Sequence, residues 1–271
     1  MFRFHPRAPH AALRGLVRGL WHYEETRAAP QGRREMPCAE AVLLINLGPP
    51  IGVAWPDPTA ETRFDTAAGF LARPHPAPAR SFMQGSQRGL QVMLTPLGAE
   101  RLLRCPISGV PAQFLDLRDT LGRDGASLAA RLAETVDPET CLDLLEAELL
   151  RRLAGDPPAD AVAEAWMRIE ASAGRIGIGA MARDLGLSRQ TLVRRFQART
   201  GLTPKLAARL QRFTGVIARL PEVPEAGWAG LAAEAGFADQ SHLIREVRAF
   251  TGLPPAALLR KRLPDGLGFA E

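Results

Sequence analysis

Apolar residues in the first hundred positions come in short runs that proline and glycine separate. Three of these runs have the length and composition of β-strands, and they cover Leu13–Tyr23, Ala41–Leu47 and Leu90–Leu94. Thr59–Pro78 follows no clear period, so we expect a loop there. The pattern therefore predicts a β-rich N-terminal part.

The pattern becomes helical after Gly98. Asp137 and Pro138 suit the cap and first position of a helix, and leucines recur at helical spacing as far as Leu153. The Gly-Asp-Pro-Pro sequence at 155–158 then breaks the chain. We therefore expect two domains: a β-rich sensing or dimerisation domain with C-terminal helices over residues 1–155, and an all-α domain over residues 160–264.

The all-α part contains an internal repeat. The turn glycine Gly186 recurs at Gly236, and the Thr-Gly-Leu sequence at 200–202 recurs at 251–253. Each copy reads as a helix, a glycine turn, a polar capping residue, a second helix and a Thr-Gly stop. This order is typical of the helix-turn-helix, whose second helix enters the major groove of DNA. The sequence thus predicts two such units.

The second helix of each unit has an apolar face for packing and a polar, basic face for DNA. Arginine can bind guanine and glutamine can bind adenine through paired hydrogen bonds, whereas phosphate contacts position the protein without reading sequence. The predicted base-reading residues are Arg189, Gln190, Val193, Arg194 and Gln197 in the first unit, and Gln240, Ser241, His242 and Arg245 in the second. The predicted phosphate contacts are Ser188, Arg195, Arg199, Lys205 and Arg248.

A predicted helix from Pro204 to residue 220 joins the two units. Its length of about 25 Å would place two reading helices within reach of major-groove segments about 34 Å apart. A helical bundle whose repeat serves packing only would explain the apolar stripes. It would not explain arginine and glutamine on the outward faces of both second helices.

Charge supports an anionic partner for the C-terminal part. From Asp160 onward there are sixteen basic and eleven acidic residues, whereas residues 1–159 are balanced. The cysteines Cys38, Cys105 and Cys141 lie too far apart for a disulfide framework. No apolar run is long enough to span a bilayer, and arginines interrupt the N-terminus, so we expect a cytoplasmic protein without a membrane partner.

Residues 176–262 resemble the tandem helix-turn-helix domain of AraC/XylS-type bacterial transcription regulators. The resemblance rests on the Gly-Phe-Ala-Asp-Gln-Ser-His-Leu sequence at 236–243 and on the Gly-Leu-Pro-Pro turn at 252–255. Arg195 stands where the family often has an apolar residue, and Val247 where it usually has phenylalanine. The resemblance implies sequence-specific binding of double-stranded DNA in transcription regulation.

The N-terminal half resembles only loosely the β-rich sensing domains that often precede this module, through Leu20-Trp21-His22 and residues 42–48. This implies an α+β chain whose N-terminal domain is cupin-like or a similar barrel and binds a small-molecule effector, dimerises, or both. Trp21, His22 and Trp55 are the effector-binding candidates. RNA polymerase and a second copy of the chain are further partners expected of such a regulator.

Catalytic signatures are absent from the sequence: it contains no GxSxG, GxxxxGK[ST], HExxH or GxGxxG. His5, His10, His22 and His75 are scattered, with no spacing typical of metal ligands. We therefore expect no catalytic residues, no metal and no cofactor. The alternatives are a DNA-binding protein whose N-terminal domain is an enzyme or metal-binding sensor, and a structural protein that binds DNA without sequence preference.

Overall fold

The computed structural model describes residues 2–26, 31–55, 62–153, 155, 159–220, 227–263 and 268–270. Its N-terminal part is built from β-strands. They are β1 (Phe2–Arg7), β2 (Val17–Glu25), β3 (Gln31–Glu35), β4 (Ala41–Asn46), β5 (Ile51–Trp55), β6 (Thr62–Thr66), β7 (Gly69–Ala72), β8 (Ala79–Met83), β9 (Gln87–Leu94), β10 (Phe114–Asp116) and β11 (Phe269–Ala270).

These strands form two antiparallel sheets. The first has six strands in the order β1-β2-β9-β4-β7-β10, and the second has five in the order β11-β3-β8-β5-β6. A cavity lined by strands of both sheets lies between them. The prediction of a β-rich N-terminal part is confirmed, in the form of two facing sheets rather than one closed barrel.

The helices follow mainly after the last long strand. They are α1 (Pro96–Leu103), α2 (Leu117–Glu134), α3 (Pro138–Leu153), α4 (Ala161–Ala171), α5 (Ile178–Asp184), α6 (Arg189–Thr200), α7 (Pro204–Arg219), α8 (Trp228–Glu234), α9 (Gln240–Thr251) and α10 (Pro255–Arg260). Within the described part of the chain, no helix is both long and apolar enough to cross a bilayer.

Helix α3 confirms the predicted helix to Leu153. The Asp137 carboxylate accepts a hydrogen bond from the Thr140 N–H at 2.8 Å, as expected of a residue that caps a helix. The helix packs against the first sheet, and Arg7 of β1 forms ion pairs of 2.5 Å with Glu139 and Asp143. Of the residues predicted to form the break after α3, only Gly155 lies within the described residues.

The predicted strands are found with shifted ends. Ala41–Leu47 is confirmed as β4, and Leu90–Leu94 is the second half of β9. The run from Leu13 to Tyr23 begins instead with a short 3-10 turn, Ala11–Leu13, and becomes β2 only at Val17.

The prediction of a loop over Thr59–Pro78 is wrong, because β6 and β7 lie within it. Strand β7 is buried at all four positions, so its sequence does not alternate between apolar and polar residues. Gly69 begins it with φ +116°, and a Cβ atom there would lie 2.0 Å from the Leu44 carbonyl oxygen. Close approach of two backbones, rather than a loop, explains this glycine.

Candidate nucleic-acid interface and cavity

Helices α5 and α6 form the first predicted helix-turn-helix. Ala182 is fully buried between them, and Gly186 makes the turn with φ +66°. The Ser188 hydroxyl then accepts a hydrogen bond from the Thr191 N–H at 3.1 Å and caps α6. Gly201 ends α6 in the left-handed conformation with φ +74°.

Packing fixes which face of α6 is exposed. Leu192 and Phe196 are fully buried, and the Phe196 ring stacks on Trp166 of α4 with centroids 6.2 Å apart. On the opposite side lies an open, shallow surface concavity of about 580 Å³. Its lining contains four of the five predicted base-reading residues of this unit, Gln190, Val193, Arg194 and Gln197. The fifth, Arg189, is exposed at the start of the helix.

Helices α8 and α9 form the second unit in the same way. The Asp239 carboxylate accepts from the His242 N–H at 2.7 Å, and Gly252 ends α9 with φ +75°. Leu243 and Val247 are fully buried, as the helical pattern predicts. The Phe250 ring contacts Phe213 of α7 at a centroid distance of 5.1 Å, so an aromatic pair completes the core beside Val247.

The polar face of α9 carries Gln240, Ser241, Arg245 and Arg248, all exposed. His242 differs from them, because its ring lies edge-on against Phe237 at 5.2 Å and its Nδ1 lies 3.4 Å from the Ala238 N–H. Its ring is therefore held in the turn between α8 and α9. This position favours a role in shaping the turn over the predicted contact with a base.

Among the predicted phosphate contacts, Arg195 and Lys205 are exposed, as is Ser188 beside its capping bond. The prediction for Arg199 does not fit the structure, because its guanidinium pairs at 2.5 Å with both Glu100 of α1 and Asp160. Its side chain is only 16% exposed. The last turn of α6 points at the N-terminal part, and a partner 99 positions earlier in the chain is not visible in the helical pattern.

The cavity between the two sheets has a volume of about 590 Å³. Its walls are mainly apolar and aromatic. They include Trp21, Tyr23, Val42, Leu44, Ile51, Val53, Phe70, Met83, Met93 and Phe114. The α7 residues Phe213 and Ile217 also reach it, so the helix that joins the two helix-turn-helix units borders this cavity.

Of the three predicted effector-binding residues, only Trp21 lines the cavity. His22 is fully buried and points to the opposite face of β2, because side chains alternate along a strand. Trp55 is not in the lining and packs edge-on against His75 at 4.5 Å. The predictions for His22 and Trp55 are therefore wrong for this cavity.

Charged residues of the cavity were missed by sequence reasoning. Glu25 and Arg33 form a buried ion pair of 2.7 Å, and the Glu35 carboxylate accepts from the Ser81 hydroxyl at 2.6 Å. Arg34 lies beside them. These residues belong to three strands. Pairing of β3 with β8 brings Arg33, Glu35 and Ser81 together, whereas Glu25 reaches Arg33 from β2 of the opposite sheet, so no local motif marks the group.

Burial shifts the ionisation of the groups around the cavity. It lowers the pKa of His75 to about 4, so this imidazole is neutral at physiological pH. Burial also raises the pKa of the Tyr23 hydroxyl and of the Cys38 thiol, which stay protonated. In the part of the chain that the structure describes, no group of three or more His, Cys, Asp or Glu side chains is placed to hold a metal ion.

Two helix-turn-helix units on one connecting helix are the architecture of a DNA-binding domain, and in this chain they are joined to a pair of sheets around a cavity. Residues 181–261 match the family model described as a helix-turn-helix domain. This part of the chain is a helix-turn-helix domain. No curated protein sequence gives a significant match to the chain.

Solved structures share the whole fold. ToxT from Vibrio cholerae is 11% identical with a TM-score of 0.51, and the match covers 96% of this chain and 98% of that one. ToxT from Vibrio cholerae O395 bound to (E)-4-(8-methylnaphthalen-1-yl)but-3-enoic acid is 9% identical, also with a TM-score of 0.51 and the same two coverages. At these identities the likeness establishes the two-part fold alone. A Co(II) structure of HppE matches 34% of this chain and 52% of that one at 16% identity, and its TM-score of 0.27 is too low to indicate a shared fold.

Proposed function

We propose that this protein is a sequence-specific DNA-binding transcription regulator whose N-terminal sheets bind a small-molecule effector. The observation that carries the proposal is the surface concavity along α6, where Gln190, Arg194 and Gln197 are exposed together on a capped helix of the helix-turn-helix domain. Arginine and glutamine in this arrangement suit the hydrogen-bonding edges of guanine and adenine.

The second unit supports the same proposal. Helix α9 presents Gln240, Ser241 and Arg245 on its exposed face, and the buried packing of α7 against α4 and α9 fixes its position relative to α6. Each unit supplies one reading helix, so one copy of the chain would contact two neighbouring major-groove segments.

The cavity supports an effector that is largely apolar and carries an acidic group. Its walls are aromatic and aliphatic, and at its polar side the three arginines Arg33, Arg34 and Arg262 outnumber the two carboxylates of Glu25 and Glu35. One of the ToxT structures holds a naphthyl-substituted carboxylic acid, a molecule of this class. An effector that binds one arrangement of the two parts more tightly than another would shift their populations and so change DNA affinity. We also propose RNA polymerase and a second copy of the chain as partners of this regulator.

Selection of bound duplexes from a random library, with the full chain at near-physiological salt, tests the DNA-binding proposal. We expect recovered sites with two motifs about one helical turn apart. A single short motif would mean that only one unit reads bases. No enrichment, with and without added acids, would contradict sequence-specific binding and favour a structural DNA-binding protein.

Arg194→Ala then tests the assignment of one base reader. We expect a loss of about 1–3 kcal/mol on the selected site and a relaxed preference at one base pair, with little change on random DNA. Arg195→Ala is the matched control, because it changes the neighbouring exposed arginine and should weaken both duplexes alike. Equal losses on both duplexes for Arg194→Ala would show that it contacts phosphate.

A further inference from the structure

The last described residues of the chain leave the helical part and pair with the N-terminal sheet. In β11, Phe269 lies opposite Arg34 and Ala270 lies opposite Arg33, so the strand extends the edge of the five-stranded sheet at β3. Main-chain hydrogen bonds hold a strand that is added to a sheet edge in this way. We call residues 268–270 the strap.

The strap is tied to the end of α10. The Leu263 N–H donates to the Gly268 carbonyl at 2.9 Å, and the Ala270 N–H donates to the Lys261 carbonyl at 2.6 Å. Arg262 and Phe269 form a further antiparallel bridge. Because α10 packs against α9, the DNA-reading helix of the second unit is connected to the sheet through these contacts.

The same sheet edge holds α9 directly. The Arg34 guanidinium donates to the carbonyl oxygen of Thr251, the last residue of α9, at 2.9 Å. Strand β3 therefore contacts both the strap and the end of the second reading helix. A movement of the strap away from β3 would break the attachment of α10 to the sheet and leave the contact from Arg34 to Thr251 to hold this unit.

The strap is also part of the cavity wall. The side chain of Phe269 is 5% exposed and lines the cavity together with Gly268 and Arg262. A molecule that fills the cavity therefore touches Phe269 when the strap is docked and loses that contact when the strap leaves. Such a difference in interaction is what allows a ligand to shift an equilibrium between two arrangements.

We propose that the strap couples the cavity to the second helix-turn-helix unit: an occupant of the cavity favours the docked strap and holds α9 and α10 against the N-terminal sheet. This proposal rests on the proposed function, because it takes this cavity as the effector site. When the strap undocks, the cavity loses a wall and the end of α10 loses its attachment to β3.

The first test measures binding of 8-anilinonaphthalene-1-sulfonate, an apolar anionic fluorophore, to the full chain. We expect Phe269→Ala to weaken binding about tenfold, because burial of a phenylalanine side chain is worth at least that factor. Phe269→Leu should restore most of the affinity. A chain that ends at residue 267 should lose affinity as Phe269→Ala does, whereas removal of Glu271 alone should not change it.

The second test measures amide hydrogen exchange, first in the unmodified chain, where the result does not depend on the folding of a variant, and then in the shortened chain. Saturating fluorophore should slow exchange in β3, the strap and α10, and the effect on α10 should vanish in the chain that ends at residue 267. Three results would overturn the proposal. They are no binding of the fluorophore, an affinity that Phe269→Ala does not change, and exchange in α10 that the fluorophore does not slow. Neither test involves DNA, so failure of the selection experiment is a separate result.

Discussion

At the scale of single residues, basic side chains on α6 divide into those that face outward and those bound within the protein. Arg195 is exposed, whereas Arg199, one turn later, is paired with Glu100 and Asp160. We expect Arg195→Ala to lower the salt dependence of DNA binding by about one counterion, whereas Arg199→Ala should leave it unchanged. The affinity of both variants for random duplex, measured across a salt series, gives the dependence of affinity on salt concentration. A weaker dependence for Arg199→Ala would show that this side chain leaves Glu100 to contact DNA.

Protonation of the buried His75 opposes folding. The pKa is about 4 in the folded protein, where burial disfavours the charge, and 6.5 is the ordinary value. Between these two values the unfolded chain binds a proton that the folded chain does not, so acidification lowers the free energy of unfolding, by up to about 3 kcal/mol. His75 therefore does not lower the free energy of unfolding above pH 6.5, and its destabilising effect grows as the pH falls from 6.5 towards 4.

Denaturant unfolding across this pH range measures the effect. His75→Asn is the matched variant, because its amide N–H can replace the Nδ1–H that donates to the Ala77 carbonyl at 2.7 Å, and it has no charge to gain. We expect its stability to fall less steeply with acidification than that of the unmodified chain. Parallel slopes would contradict a neutral, buried His75.

At the scale of elements, β7 depends on a close approach between strands. A Cβ atom at Gly69 would meet the Leu44 carbonyl oxygen at 2.0 Å, whereas Gly85, which also has positive φ, has no atom within 4 Å of that position. We expect Gly69→Ala to destabilise the protein by several kcal/mol and Gly85→Ala by about 1 kcal/mol, the cost of backbone strain alone. Thermal denaturation compares them, and similar midpoints would mean that β7 can move away from β4.

The elements also show what the sequence could predict. Helices α3, α6, α7 and α9 carry their own caps and apolar stripes, so local pattern was sufficient to find them. Strand β7 is buried on both faces and has no alternation to recognise. The cavity could not be found in the same way, because its polar and apolar residues come from strands of two different sheets that face each other only in the folded protein.

At the scale of the whole molecule, the two parts share one apolar core that runs from the first sheet to both helix-turn-helix units. A buried hydrogen bond of 2.7 Å crosses between them, from the Gln211 side chain of α7 to the Glu40 carboxylate. A shared apolar core of this kind opposes free movement of the two parts. We therefore expect the full chain to unfold in one cooperative transition, with equal calorimetric and van't Hoff enthalpies.

Gln211→Ala tests this coupling, because it leaves the Glu40 carboxylate buried without its amide donor. Glu40 is 4% exposed, and the loss of a partner at such a site costs about 1–3 kcal/mol. Gln197→Ala on the exposed face of α6 is the control and should leave the unfolding midpoint unchanged. In calorimetry we expect Gln211→Ala to lower the midpoint of the single transition. Two resolved transitions in the unmodified chain would show that the N-terminal sheets and the helix-turn-helix units fold independently, and an effector would then have to act through the strap alone.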